Sequence, residues 1–172
     1  MQVSITHSLS RLINLYPNLK IVSVEPNPST FARLSFRGSD RVKFLNFAIS
    51  DIKGELNFID GAVSHVFAAV DKRNSYHIQG QTSTVKAHTL DELFYSSSSL
   101  VLKIDVEGQE RCVLDGASRL LSSGSVRVVY LDGYDDALIN DMLVDYGFSL
   151  FEGRTLTPNP GRVFSLLAIK LA

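Results

Sequence analysis

Lys103, Asp105 and Glu107 alternate along the stretch LVLKIDVEGQE, residues 100–110, and Glu110 follows three positions later. Alternate residues of an extended chain point to the same side, so this lysine and these two acids share a face. A lysine inside an apolar strand costs roughly several kcal/mol if unpaired, so it must meet an anion or reach the strand's wet end. Two chemistries fit. A Lys103–Asp105 ion pair can simply close the strand end. Alternatively, Lys103, Asp105, Glu107 and Glu110 form a catalytic cluster that orients a polar ligand or accepts a proton. Glu110 also suits the start of a helix, where negative charge is stabilised without any ligand.

The elements around this stretch place it at an edge. Leu100, Val101, Leu102 and Ile104 make an apolar run expected to be buried on both faces, as in the middle of a parallel sheet. Gly108 and the helical pattern after it mark a strand-to-helix turn. In open α/β sheets such turns lie at the carboxyl edge, where ligands bind. A second acid, Glu25, ends an earlier β-rich run, Leu19 to Val24, inside Glu25-Pro26-Asn27-Pro28. Proline at 26 holds Glu25 out of helical geometry, and Pro28 fits the first turn of a helix. An acid at that place accepts hydrogen bonds from ribose hydroxyls in nucleotide-binding folds, or it is a turn carboxylate facing water.

Length and composition narrow the classes. The 172 residues fit one domain, with 45% hydrophobic and 20% charged residues, an ordinary globular profile. A net charge of −1 gives no reason to expect a nucleic-acid partner or an anionic membrane. No apolar run approaches the roughly 20 residues that span a bilayer, and MQVSITHSLS does not read as a signal peptide, so a cytoplasmic location is expected. Cys112 is a lone cysteine on an expected helix, read as a buried inert thiol. His7, His65, His77 and His88 have no metal-ligand spacing with one another or with Cys112, so no metal is expected.

Taken in order, periodicity predicts a helix over 5–16, a strand over 19–24, a helix over 29–36 and a strand over 42–47. Strands at 55–59 and 82–87 flank a loop-rich excursion, Asp60 to Gly80, with one short strand near Val63 to Phe67. Thr89-Leu90-Asp91-Glu92 opens a short helix with an N-cap signature. After the central stretch come one helix from Cys112 to Leu121, ended by Gly124, and a buried strand over 126–131. A helix over 135–146 with Leu138, Met142 and Leu143 inward follows, and then strands at 148–151 and 163–171. Alternation of strand and helix argues for an α/β, mostly parallel sheet covered by helices. The closing pair, joined without a helix, implies an antiparallel finish.

The pieces VEPNPSTFARL, LNFAISDIKGEL, Thr89 to Leu93, VLKIDVEGQE with VLDGA after it, and DYGFSLFEG resemble the FkbM-like family of S-adenosylmethionine-dependent methyltransferases. The resemblance runs from about Leu12 to the C-terminus. It implies a Rossmann-like class I methyltransferase sheet with a reversed last strand and O-methylation of a hydroxyl, on a sugar or natural product. Glu25, with Pro26 and Asn27, would hold the ribose of S-adenosyl-L-methionine. Ala48 and Ile49 would border the adenine, and Asp105 would sit near the cofactor's amino-acid end. Glu107 and Glu110 would face a small-molecule or glycan acceptor, with Lys103 and Asp105 counted beside them as catalytic. The resemblance leaves a homodimer open.

One departure stands out. The family's usual first strand and its acidic, glycine-rich loop have no counterpart before Gly38, the first glycine. Residues 1–172 therefore read as a single, incomplete domain, N-terminally truncated relative to the family. The alternative is a short, non-catalytic Rossmann-like binding or dimerisation module. A nucleotide enzyme of other chemistry has no G-x-G-x-x-G loop to support it. The expectation is that the 172-residue chain binds S-adenosylmethionine weakly or not at all. Calorimetry on the purified chain measures this, and micromolar affinity would refute it.

Overall fold

A computed structural model of the chain describes residues 11–34, 40–61, 80–106, 108–134, 136, 138–158 and 160–171. The first part of the 5–16 helix with His7, the end of the 29–36 helix with Gly38, and Glu107 lie outside the described residues. So do residues 62–79 of the excursion, including the expected strand near Val63 to Phe67, His65 and His77. The chain divides into two compact units, Met1–Ala48 and Ile49–Ala172, each treated by itself below.

In the first unit, helix α1 covers 11–15. Its carbonyl end is satisfied from a distance: Arg41 Nη1 donates to Tyr16 O at 3.0 Å and Pro17 O at 2.8 Å, and Nη2 donates to Ile13 O at 3.1 Å. Strand β1 (Ile21–Val24) pairs in parallel with β2 (Val42–Leu45), Val24 opposite Leu45. Between them lies α2 (Pro28–Phe31), which starts as the sequence demands. Asn27 is its N-cap, accepting from Ser29 N at 2.8 Å and Thr30 N at 3.2 Å, and Pro28 fills the position where a missing N–H costs nothing.

The unit boundary falls inside the two-residue strand β3 (Ala48–Ile49). In the second unit β4 (Gly54–Gly61) and β5 (Gly80–His88) form a long antiparallel ladder, Leu56 opposite Val85, in a sheet of order β3-β5-β4. Helix α3 (Leu90–Phe94) follows at once, capped by Thr89, whose Oγ1 accepts from Glu92 N at 3.1 Å. Then come β6 (Leu100–Ile104), α4 (Glu110–Asp115), α5 (Ser118–Ser123) and β7 (Val126–Asp132). Helix α6 (Leu138–Asp145) and strands β8 (Ser149–Glu152) and β9 (Ser165–Ile169) complete the unit. These four strands form a sheet of order β6-β7-β9-β8, with β6 and β7 parallel and β9 antiparallel to both its neighbours.

The reversed last strand is therefore present. The single, mostly parallel sheet is not what the described residues form: their strands lie in three sheets of two, three and four. Among the described residues β1 ladders only with β2 and β6 only with β7. The reading of β6 as buried on both faces is corrected as well. Val101 is 69% exposed and Ile104 alone is buried: among the described residues the face that carries Val101 and Lys103 stays open, and only the opposite face packs on the core. The core of the unit is built by Leu114, Leu120, Leu121, Val129, Leu131, Ile139, Leu143 and Leu166. Each such side chain, fully buried, contributes about 1.5–3 kcal/mol. On α6 the inward residues are Ile139 and Leu143, whereas Leu138, expected inward, is exposed.

The expected single helix over 112–121 is broken at Gly116-Ala117. The cause is a close approach: a Cβ on Gly116 would lie 2.1 Å from the Ser50 carbonyl oxygen. Gly116 O accepts the Asp91 N–H at 2.9 Å, and the Asp91 carboxylate accepts from Arg119 N and Leu120 N, both at 2.9 Å. Asp91 thus caps α5 from another helix, a contact worth about 1 kcal/mol by analogy with local caps. Gly116→Ala is expected to lower stability by about 1–3 kcal/mol through overpacking. Gly161→Ala, where nothing lies within 4 Å of the added carbon, should stay within about 0.5 kcal/mol. Urea midpoints followed by circular dichroism compare the two.

Candidate functional site

In the first unit Glu25 stands one residue beyond β1, at the carboxyl end of a parallel pair. Its N–H extends the ladder to Leu45 O at 2.9 Å. Its Oε1 accepts the Asn27 N–H at 2.8 Å, which fixes the carboxylate over the turn. Asn46 Nδ2 donates to Glu25 O at 2.8 Å and Pro26 O at 3.2 Å, so the backbone of the turn is pinned as well. Asn27 is buried, with Oδ1 engaged in capping α2, and Ala48 is buried.

In the second unit the strand ends of one sheet bring several polar groups level. Ile104 pairs with Leu131, so Asp105 stands beside Asp132; Asp132 in turn pairs with Ser165. Lys103 Nζ meets Asp105 Oδ2 at 2.8 Å with both side chains about half exposed, so the lysine finds both an anion and water. Such a pair contributes only about 0.2–1 kcal/mol to stability. Glu110 is placed differently. It opens α4, is 2% exposed, and turns its Oε1 back onto the Gly108 N–H at 3.1 Å. Gly108 has φ +92°, a conformation that favours glycine, so Glu110 and Gly108 together lock the strand-to-helix turn. Glu107 lies outside the described residues, and Ile49 packs against the core.

Two features of this edge carried no role in the sequence reading. Asp132 Oδ1 accepts from the buried Ser165 Oγ at 3.1 Å. Its signal was legible: an acid at the end of an apolar strand, followed directly by Gly133. Ser165 and the connection before it could not be found this way, because only the antiparallel insertion of β9 brings them to the edge. That connection is well built. Glu152 accepts from the N–H groups of Thr155 and Arg154, the latter at 2.9 Å, and the Thr155 bonds above all hold its carboxyl below the usual 4.5. Tyr134 donates to Asn140 Oδ1 at 2.7 Å, and Asn140 Nδ2 donates to Gly161 O at 3.1 Å. Burial pushes the Tyr134 phenol up despite that bond.

Away from this edge, Glu92 bridges Lys53 and His88, meeting His88 Nδ1 at 3.3 Å. The Lys53 hydrogen bond is the main reason its carboxyl is held low. Cys112 is half-buried rather than fully buried. Among the described residues no helix is long and apolar enough to cross a membrane, and no three His, Cys, Asp or Glu side chains are grouped to hold a metal ion.

The described residues define a mixed α/β protein with polar groups gathered at strand ends, an architecture consistent with a methyltransferase-like fold. The sequence profile of the methyltransferase FkbM domain matches residues 4–150, and the chain belongs to that family. Neither a curated protein nor a solved structure matches the chain.

The Glu152 turn has a pH dependence with a definite sign. Its carboxyl is depressed in the folded state, so its contribution is complete above the ordinary value of 4.5 and is lost as pH falls through the lower folded value. Protection of the Arg154 and Thr155 amides, taken relative to the intrinsic exchange rate at each pH, is expected to fall as pH drops through that window, and Glu152→Gln should remove this dependence. Hydrogen exchange read by NMR between neutral and acid pH checks it.

Proposed function

We propose that this chain is an S-adenosylmethionine-dependent methyltransferase domain acting on a hydroxyl of a sugar or natural product. The observation that carries the reading is the FkbM-domain match over residues 4–150. The residues proposed to serve the cofactor are Glu25, Pro26, Asn27, Ala48, Ile49 and Asp105. The donor set suits the ligand. A carboxylate that accepts a backbone N–H at the end of a parallel strand is an acceptor-only group, matched in kind to the hydroxyl donors of a ribose.

S-adenosylmethionine, when bound, supplies an electrophilic methyl group on a sulfonium. The protein's part in such a transfer is mainly positioning, with a base to take the hydroxyl proton. Asp105 is the described carboxylate best placed for that. It is half exposed at the strand edge, and Lys103 beside it fixes its orientation. Glu107 is proposed to face the acceptor. Glu110 holds Gly108 in the turn that follows Asp105. A second reading, a non-catalytic binding or dimerisation module, draws on the fact that Lys103–Asp105 and Glu110–Gly108 are both complete as structural contacts without a ligand.

NMR titration of the 172-residue chain with S-adenosylmethionine tests the proposal even at weak affinity. Amide shifts are expected at Glu25, Asn27, Ala48, Ile49 and Asp105. Glu25→Gln should weaken the response by about tenfold, as loss of a charged hydrogen-bond acceptor does. A titration that leaves all five amides unmoved would overturn the assignment.

A further inference from the structure

The connection from β8 to β9 holds two large apolar side chains in water at the same sheet edge as Asp105. Phe164 is 66% exposed and Leu156 is 59% exposed. Single exposed apolar residues are ordinary on a protein surface. Three observations set this pair apart. The Phe164 backbone is fixed, since its carbonyl accepts the Gly133 N–H at 2.9 Å, and its ring edge lies 3.7 Å from where a Gly133 Cβ would be. The Arg154 guanidinium carbon lies over the ring, 5.7 Å from its centroid, so a cation is stacked on an aromatic in solvent. Leu156 has φ +60°, strained for any residue but glycine, and holds that strain while its side chain faces water.

Register fixes where this lies. Phe164 directly precedes Ser165, which pairs with Asp132, and Asp132 is level with Asp105. Two strand spacings, about 10 Å, therefore separate the start of β9 from the end of β6. A monosaccharide-sized molecule with one substituent spans such a gap.

We propose that Phe164 and Arg154, supported by Leu156, form the acceptor-binding platform of this domain, taking a hydroxylated ring compound that carries an anionic group, a phosphate or a carboxylate. The flat C–H face of such a ring covers the exposed aromatic, and the guanidinium, planar and rich in donors, takes the anion. The role as acceptor site rests on the methyl-transfer reading above; the binding itself does not. The turn that presents Arg154 is tightened by the Glu152 carboxylate on the Arg154 and Thr155 N–H groups, so the platform is formed before any ligand arrives.

The test is an NMR titration of the full 172-residue chain with glucose 6-phosphate, glucuronate, glucose and inorganic phosphate. The two anionic sugars are expected to shift the amides of Gly133, Arg154, Phe164 and Ser165, with the sugar that binds better naming the anion. Glucose should bind about tenfold more weakly, and phosphate alone should leave Phe164 unmoved. Phe164→Ala should abolish the response and Phe164→Tyr should keep it. Arg154→Met should reduce the anionic sugars to the level of glucose. Because Phe164 is exposed, these variants spare the core, and unchanged spectra elsewhere verify it. Platform shifts in a chain that ignores S-adenosylmethionine would support the site while removing the transfer reading. A chain that binds the cofactor but shows no platform shift with any sugar, or equal shifts with phosphate alone, would overturn the proposal.

Discussion

The second unit depends on a point where one backbone meets another with no room for a side chain. Ser50 O sits where a Cβ of residue 116 would be, so only glycine permits the approach. Around that contact the hydrogen bonds interlock. Ser50 N donates to His88 O at the end of β5, Asp91 N donates to Gly116 O, and the Asp91 carboxylate takes the first free N–H groups of α5. One short helix, α3, thereby sets where α4 stops and α5 begins. Shifting Gly116 would release the Asp91 cap from the Arg119 and Leu120 N–H groups at the start of α5, a loss of about 1 kcal/mol. It would also move Leu114, Ala117, Leu120 and Leu121, all at the centre of the core.

The same core supports the sheet whose edge bears the chemistry. Because β9 enters between β7 and β8 in the opposite direction, its first residues arrive at the carboxyl ends of β6 and β7. Asp105, Asp132, Ser165 and the Glu152 turn are gathered there by strand direction alone. Their local stability has different sources. Lys103 and Asp105 hold each other in water, Ser165 is buried against Asp132, and Glu152 is bound by the N–H groups of its own turn. The edge is therefore preorganised, and a ligand arriving there finds oriented groups rather than having to order them.

Legibility in the sequence followed the range of the forces involved. Helix starts with local signals were readable, as Thr89 before α3 and Pro28 in the first turn of α2 show, because signal and helix lie within four residues of each other. Strands with alternating or apolar patterns were found within about two residues of their true limits. Unread were the break at Gly116, whose cause lies 66 residues away at Ser50, and the exposure of Val101, which depends on what packs over that face of β6. Leu138 was misjudged for a related reason: the spacing on α6 allows two neighbouring faces, and only packing into the common core selects Ile139 and Leu143.

The sequence by itself determined the acids and where along their strands they fall. Extended geometry puts Lys103 and Asp105 on one side, and the proline at 26 holds Glu25 in its turn, whatever the rest of the chain does. It also determined the family, because the order and spacing of its motifs survive without any coordinates. What each acid touches was decided only by tertiary structure. Asp105 spends its charge on Lys103 at a wet edge, while Glu110, three residues past Glu107 and of the same type, is buried and closed onto Gly108. A carboxylate's role depends on solvent and partners within a few ångströms, and those are set by which elements pack together rather than by the residue's own neighbours in the chain.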